Sequence, residues 1–225
     1  MAEAQSHGES DVKYDVKRAF RELYAPSARD FAVVEVPPMR VLAIDGHGDP
    51  NTAPAYAAAV QALYSVSYAL KFLSKRELGR DLVVAPLEGL WRADDPASFV
   101  TRDKSAWSWT MLIVQPEWID DGHLEVARGR ALAKAPGELG ATIEALELRT
   151  LHEGRCVQIL HLGSYDAEGP TLARLHDEYL PEHGLTFAGD HHEIYLSDAR
   201  RTAPEKLRTV LRQPVRPVEA ATRAG

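Results

Sequence analysis

Cysteine is almost missing from this 225-residue chain: Cys156 stands alone, which excludes an internal disulfide framework and fits a reducing cytoplasm. No run approaches the ~20 apolar residues that would span a bilayer. The opening Met-Ala-Glu-Ala-Gln-Ser-His-Gly has neither a basic start nor an apolar stretch, so it does not read as a secretory signal. Cations are outnumbered, 26 Lys and Arg against 33 Asp and Glu, for a formal net charge of −7. Nucleic-acid binders rely on clustered cations to displace counterions, so no nucleic-acid partner is expected. A zinc-protease motif is lacking too, since His152-Glu153 is followed by Gly154-Arg155-Cys156 with no second histidine. Gly46-His47-Gly48 lacks the third glycine and the lysine of a phosphate-binding loop and reads as a turn.

Apolar residues make up 45% of the chain, enough for a packed core. Residues 1–10 and 216–225 read as tails around a single domain over 11–215. Helical spacing of Val12, Val16, Ala19, Phe20 and Leu23 predicts a helix over 11–23, and 31–36 reads as a strand closed by Pro37-Pro38. A strand over 39–44 runs into the turn-forming 45–50. Asn51-Thr52 offers a helix cap, and a long helix follows to about Ser74. Strands are expected at 81–91 and 107–114, a helix at 117–136 and a strand at 141–151. The later segments read as strand 155–162, helix 171–180, strand 191–196 and strand 206–212, the last stopped at Gln213-Pro214.

The strand-helix-strand-strand order thus occurs twice, over about 39–116 and 154–214, with 117–151 as connector. Gly46 aligns with Gly163, Glu88 with Glu193, and Gln115-Pro116 with Gln213-Pro214. The expected fold is α+β: two pseudo-symmetric repeats forming one antiparallel sheet, helices on one face, and a ligand cleft between the repeats on the other.

Glu88 and Glu193 are the sharpest chemical signal, since each interrupts an apolar strand close to an aromatic residue, Trp91 or Tyr195. Strand alternation puts Glu193 and Tyr195 on one face. A carboxyl beside aromatic rings can pair with a cation, act as a general base, or, with a raised pKa, donate a proton. The plainer alternative is a solvent-facing glutamate on a half-buried strand. Trp91, Trp107, Trp109 and Trp118 lie close together, and Tyr64 and Tyr68 share a helix face. Flat rings beside a carboxylate suit planar or cationic ligands, whereas the tyrosines equally suit core packing. His191 and His192 point to opposite faces of their strand and cannot share an ion in the usual way, so no metal is expected. Cys156 reads as a small buried hydrophobe.

Several segments carry a family resemblance: Leu-Tyr-Ala-Pro-Ser-Ala (23–28), Ile-Asp-Gly-His-Gly-Asp-Pro-Asn (44–51), Leu-Tyr-Ser-Val-Ser-Tyr (63–68) and Pro-Leu-Glu-Gly-Leu-Trp (86–91). So do Trp-Thr-Met-Leu-Ile-Val-Gln-Pro (109–116), His-His-Glu-Ile-Tyr-Leu-Ser-Asp (191–198) and Arg-Arg-Thr-Ala-Pro-Glu-Lys-Leu (200–207). Over about 13–215 the chain resembles the GyrI-like small-molecule-binding domain family, in its stand-alone bacterial branch. The resemblance implies two such repeats around a central cleft, with Glu193 at the position that meets cationic aromatic drugs in multidrug-sensing relatives. No helix-turn-helix is expected, because the residues before the first repeat are too few and not basic enough.

Stand-alone members imply hydrolysis of cyclopropanoid, DNA-alkylating compounds without a cofactor; others imply sequestration of hydrophobic or cationic aromatic drugs, or action on a protein partner. The expected partner here is a hydrophobic aromatic small molecule. In the hydrolytic reading Glu193 is the base, Tyr195 or Tyr165 the donor to a developing oxyanion, and Trp91, Trp107 and Trp109 the aromatic walls. Tyr64 and Tyr68 join the walls, and Glu88 is a second acid or polar anchor.

Overall fold

A computed structural model describes residues 13–218 except 96, 97, 99, 100, 136 and 138. Residues 1–12 and 219–225 lie outside that set, as does most of each expected tail. The expected first helix is two short ones, α1 (Val16–Ala19) and α2 (Arg21–Tyr24). The Asp15 side chain caps the first, and Phe20, at φ −122° and ψ 54°, breaks the run between them.

Strands β1 (Ala32–Val36) and β2 (Met39–His47) precede the long helix α3 (Pro54–Glu77). β2 outlasts its expected end because its pairing continues as far as Ser108 opposite His47. The cap of α3 is Ala53, which offers no side-chain hydrogen bond, rather than Asn51 or Thr52; Pro54 starts the helix where a missing N–H costs nothing. Next come β3 (Leu87–Arg92) and β4 (Ser108–Val114). β3 starts six residues later than expected. The preceding stretch makes only a bridge between Leu82 and Tyr14, and Asp81 ties it to Lys71 and Lys75.

Helix α4 (Asp121–Leu132) opens with a reciprocal cap between Asp120 and His123. The expected strand over 141–151 divides into α5 (Leu139–Glu144) and β5 (Glu147–Leu151), the buried Ile143 facing the core from the helix. Strand β6 (Gly154–Leu162) leads to α6 (Gly169–Ala173), a π-helical turn (Arg174–Tyr179) and α7 (Leu180–Glu182). Strands β7 (Leu185–Phe187), β8 (His191–Tyr195) and β9 (Arg208–Pro217) complete the chain.

β7 has too few residues to show alternation in the sequence. β9 runs straight through the expected stop at Gln213-Pro214 and into the expected tail. Its pairing with β8 ends at Arg212 and that with β7 begins at Val215, so the missing amide of Pro214 falls where the neighbour changes. The Pro214 carbonyl accepts the Ala188 amide instead (2.9 Å).

Among the described residues these strands form one nine-stranded sheet, β1-β6-β9-β8-β3-β4-β2-β5, with β7 alongside β9 and every pair antiparallel. The fold is α+β as expected. Its order is symmetric about the central β8–β3 pair, since β6-β9-β8 mirrors β2-β4-β3. α3 covers one half of one face, with α4 and α5 packed on it, and α6 to α7 lie over the other half. α2 crosses the reverse face.

Candidate ligand-binding site

A cleft of about 1070 Å³ opens over the centre of the sheet. It lies on the face that carries α3 and α6, not on the opposite face as the sequence reading placed it. The reverse face at that point is filled by Leu23 and Tyr24 of α2, both buried. β3 and β8 form the floor, α3 one wall and the 165–172 segment the other, with Arg102, Lys104 and Arg200 at the rim.

Strand alternation directs Leu87 and Trp91 of β3, and His191, Glu193 and Tyr195 of β8, into the cleft. The register sets Gly89 opposite Glu193 and Trp91 opposite His191. A Cβ at Gly89 would stand 3.0 Å from Trp91 Nε1 and 3.2 Å from Tyr195 Oη, so the glycine makes room where these side chains meet. Trp91 Nε1 donates to Tyr195 Oη across 3.1 Å.

The rings form a continuous lining. Tyr56 stacks on Trp91 (centroids 6.2 Å), Trp107 meets Trp91 edge-on (5.8 Å), and Tyr165 meets Tyr195 edge-on (5.5 Å). Tyr64 and Tyr68 lean together on α3 at 6.5 Å. Glu193, Tyr195, Tyr165, Trp91, Trp107, Tyr64 and Tyr68 therefore all line one cleft.

Two expected members lie elsewhere. Trp109 is 1% exposed, packs its indole over Gly46, and donates Nε1 to the Gly48 carbonyl at 3.2 Å, so it supports the floor from beneath Tyr56. Glu88 is also 1% exposed and faces away from the cleft. Aligning it with Glu193 is one residue out of phase, because Glu88 pairs with Ile194 and Gly89 with Glu193, and one residue changes the face.

Glu88 belongs to a buried polar chain beneath the sheet. Tyr24 Oη donates to Glu88 Oε1 (2.8 Å), and His192 Nε2 donates to Glu88 Oε2 (3.0 Å). His192 Nδ1 lies 3.0 Å from Glu153 Oε1, and Arg212 reaches Glu153 Oε2 (3.2 Å), Gln158 Oε1 (3.0 Å) and the Leu23 carbonyl (2.8 Å). Burial alone would strip His192 of its proton; Glu153 and then Glu88 outweigh it and push the imidazole up to about 9. Burial likewise opposes ionisation of Glu153, yet His192 and Arg212 hold it down to about 2.

Inside the cleft the balance differs. Burial pushes Glu193 up to about 7, against the Tyr195 hydrogen bond and the charge of His192 behind the sheet. Tyr195 is driven well above the ordinary phenol range by burial and then by Glu193, so it keeps its proton and gives Glu193 a hydrogen bond. His191 is pushed down to about 3 by burial and stays neutral; both its ring nitrogens are buried without a hydrogen-bond partner, and Nε2 lies 3.7 Å from Glu193 Oε1.

Sequence reasoning missed Tyr56, His191, Arg102, Lys104 and Glu168 as cleft residues. Tyr56 was visible only as part of a helical pattern, and His191 only as one of an unpaired couple. Glu168 sits in a polar turn-and-helix-start segment, where a glutamate is unremarkable. In the fold its carboxyl turns inward, 5% exposed, and burial followed by the nearness of Glu193 raises its pKa.

A sheet of this topology with a ring-lined cleft over its central strand pair defines a small-molecule-binding module. The chain belongs to the GyrI-like small molecule binding domain family, whose model matches residues 29–216. A search of the curated proteins finds no match. Among solved structures, a conserved protein from Listeria innocua is 37% identical with a TM-score of 0.82, over 91% of this chain and 100% of that one. A protein from the same organism described as a hydrolase is 36% identical with a TM-score of 0.81 and the same coverage. The EcmrR C-terminal domain shares the fold at 11% identity and a TM-score of 0.51, over 84% of this chain and 98% of that one. No helix among the described residues is long and apolar enough to cross a membrane.

Proposed function

We propose that this GyrI-like domain is a cofactor-free hydrolase of strained, electrophilic small molecules of the cyclopropanoid, DNA-alkylating kind, and thereby a detoxifying enzyme. The observation that carries the reading is Glu193, a carboxyl held near neutrality by burial at the floor of an aromatic cleft. A general base works best with a pKa close to the working pH. The relative described as a hydrolase supports an enzymatic role.

In such a reaction Glu193 takes a proton from water as the water oxygen bonds to a ring carbon. The cyclopropane C–C bond breaks, and its electron pair moves through the conjugated system to the carbonyl oxygen, which is then protonated. One water is added and nothing is oxidised. Trp91, Trp107, Tyr64 and Tyr68 hold the planar ligand, Tyr195 orients Glu193, and Tyr165 faces the ligand from the rim.

A second reading is sequestration of hydrophobic or cationic aromatic drugs. It is favoured by the same carboxyl lying among ring faces, which attract cations. Mass spectrometry of a cyclopropyl-dienone compound incubated with the protein separates the two. Catalytic formation of the water adduct, lost in Glu193→Gln while binding persists, supports hydrolysis. Intact compound that co-purifies with the protein refutes hydrolysis in favour of sequestration.

A further inference from the structure

We propose that Glu168 is the acid of the cleft: it carries a proton and hydrogen-bonds the ligand oxygen that gains negative charge when Glu193 deprotonates water. The proposal rests on the hydrolytic reading above and extends it to a residue outside the sequence-derived site.

Glu168 immediately precedes α6, and its carbonyl accepts the amides of Thr171 (2.9 Å) and Leu172 (3.0 Å), which fixes its backbone. Its side chain lines the cleft with 5% exposure, and Oε1 is buried without any hydrogen-bond partner. An ionised carboxylate left without a donor in such a place is costly, whereas a carboxylic acid awaiting an acceptor is not.

The charged and titratable groups around it are Glu193 and Tyr195 from β8, Tyr165 and Asp166 from its own turn, and Arg102 and Lys104 from the β3–β4 connection. Arg102 and Lys104 both pair with Asp166, Lys104 at 3.5 Å, and their pull toward an ionised Glu168 is outweighed by burial and Glu193. Burial and the neighbouring Glu193 carboxyl both favour the neutral acid at Glu168.

Two carboxyls in one desolvated cleft oppose each other's ionisation. Which of them ionises follows from the donors each one has. Glu193 receives the Tyr195 hydroxyl and lies in front of the His192 cation, so it takes the charge. Glu168 has no such donor and keeps the proton. Tyr195 is a poorer acid because its hydroxyl is committed to Glu193, and Tyr165 is 36% exposed, where water competes.

The step balances. Water gives a proton to Glu193 and its oxygen to the ring carbon, the ring C–C bond breaks, and Glu168 gives its proton to the carbonyl oxygen as the electron pair arrives. Glu193 is then neutral and Glu168 ionised, and proton return between them through water resets the pair.

The test uses the full chain and a cyclopropyl-dienone compound, with Glu168→Ala, the near-isosteric Glu168→Gln and Glu193→Gln. Affinity is read from tryptophan fluorescence quenching and turnover by mass spectrometry across pH. Glu168→Ala should lower kcat by about 10²–10³-fold with affinity little changed. Glu168→Gln, a donor with no proton to transfer, should fall less and lose the alkaline limb of the wild-type pH profile. Turnover at the wild-type rate by Glu168→Ala, with Glu193→Gln inactive, would overturn the proposal and spare the base. If wild type leaves the compound intact, the hydrolytic reading fails by itself. Glu168 is then judged by its carboxyl ¹³C shift in ligand-free protein: ionised at pH 7 refutes it, protonated supports it.

Discussion

His192 and Glu193 are adjacent in the chain and serve opposite faces of the sheet. The imidazolium sits 3.0 Å from both Glu88 and Glu153 beneath the strand, and the carboxyl enters the cleft above it. The buried cation thus stands behind the candidate base and favours its ionised form. Removing His192 should therefore move the acid limb of any Glu193-dependent activity to higher pH.

The same chain of charges should shape stability against pH. His192 is raised from 6.5 to about 9, so its contribution is complete below pH 6.5 and is lost as pH rises through about 9. Glu153 is lowered from 4.5 to about 2, so its contribution is complete above pH 4.5 and is lost as pH falls through about 2. Urea midpoints measured across pH should decline on both sides of that window. His192→Gln should lessen the alkaline decline and cost about 3–5 kcal/mol near pH 6, because it leaves Glu88 buried without a cation and Glu153 with Arg212 alone.

Glu193 has the opposite effect on stability at working pH. Its pKa rises from 4.5 to about 7, so folding gains from its proton below pH 4.5 and loses that gain as pH rises through 7. Glu193→Gln should be more stable than wild type at pH 8, by on the order of 2 kcal/mol, and nearly equal to it at pH 4.5. In the same comparison, calorimetric titration with an aromatic cation should show wild-type affinity increasing with pH through about 7 and a flat profile for the variant.

Gly46 allows Trp109 to lie flat against β2, where an added Cβ would stand 2.0–2.4 Å from three indole carbons. Gly46→Ala should cost about 3 kcal/mol, and adding Trp109→Leu to it should recover part of that loss. Equilibrium unfolding of the two variants checks this; equal stability of Gly46→Ala and wild type would show that the ring has another place to go.

Cys156 is fully buried, and burial followed by the nearby Glu153 pushes its thiol up to about 12. A disulfide reagent should leave it unmodified in the native protein and react at once in denaturant. Native-state labelling at the rate of a free thiol would mean that β6 opens easily.

Periodicity made the long elements legible. α3 and the central strands declared themselves through repeating apolar positions. Where two periods competed, the reading slipped: Ile143 and Leu146 fit a strand pattern, yet Ile143 lies on a short helix. Glu193 and its aromatic neighbours were legible because a charge inside an apolar strand is conspicuous. Glu88 looked equally conspicuous, but its place depends on a one-residue register that only pairing partners define. Glu168 was illegible because its inward turn comes from tertiary packing, not from local pattern.

Trp91 and Tyr195 meet across 104 positions of chain, at the seam where the two halves of the sheet join. Contacts so distant in sequence are slow to form, since a long loop must close before they repay its entropy. The cleft floor therefore comes into being only with the docking of the halves. A fragment ending before β8 would keep α3 and most of its core yet have nowhere to hold a ligand, so ligand capture can report completed folding of this chain.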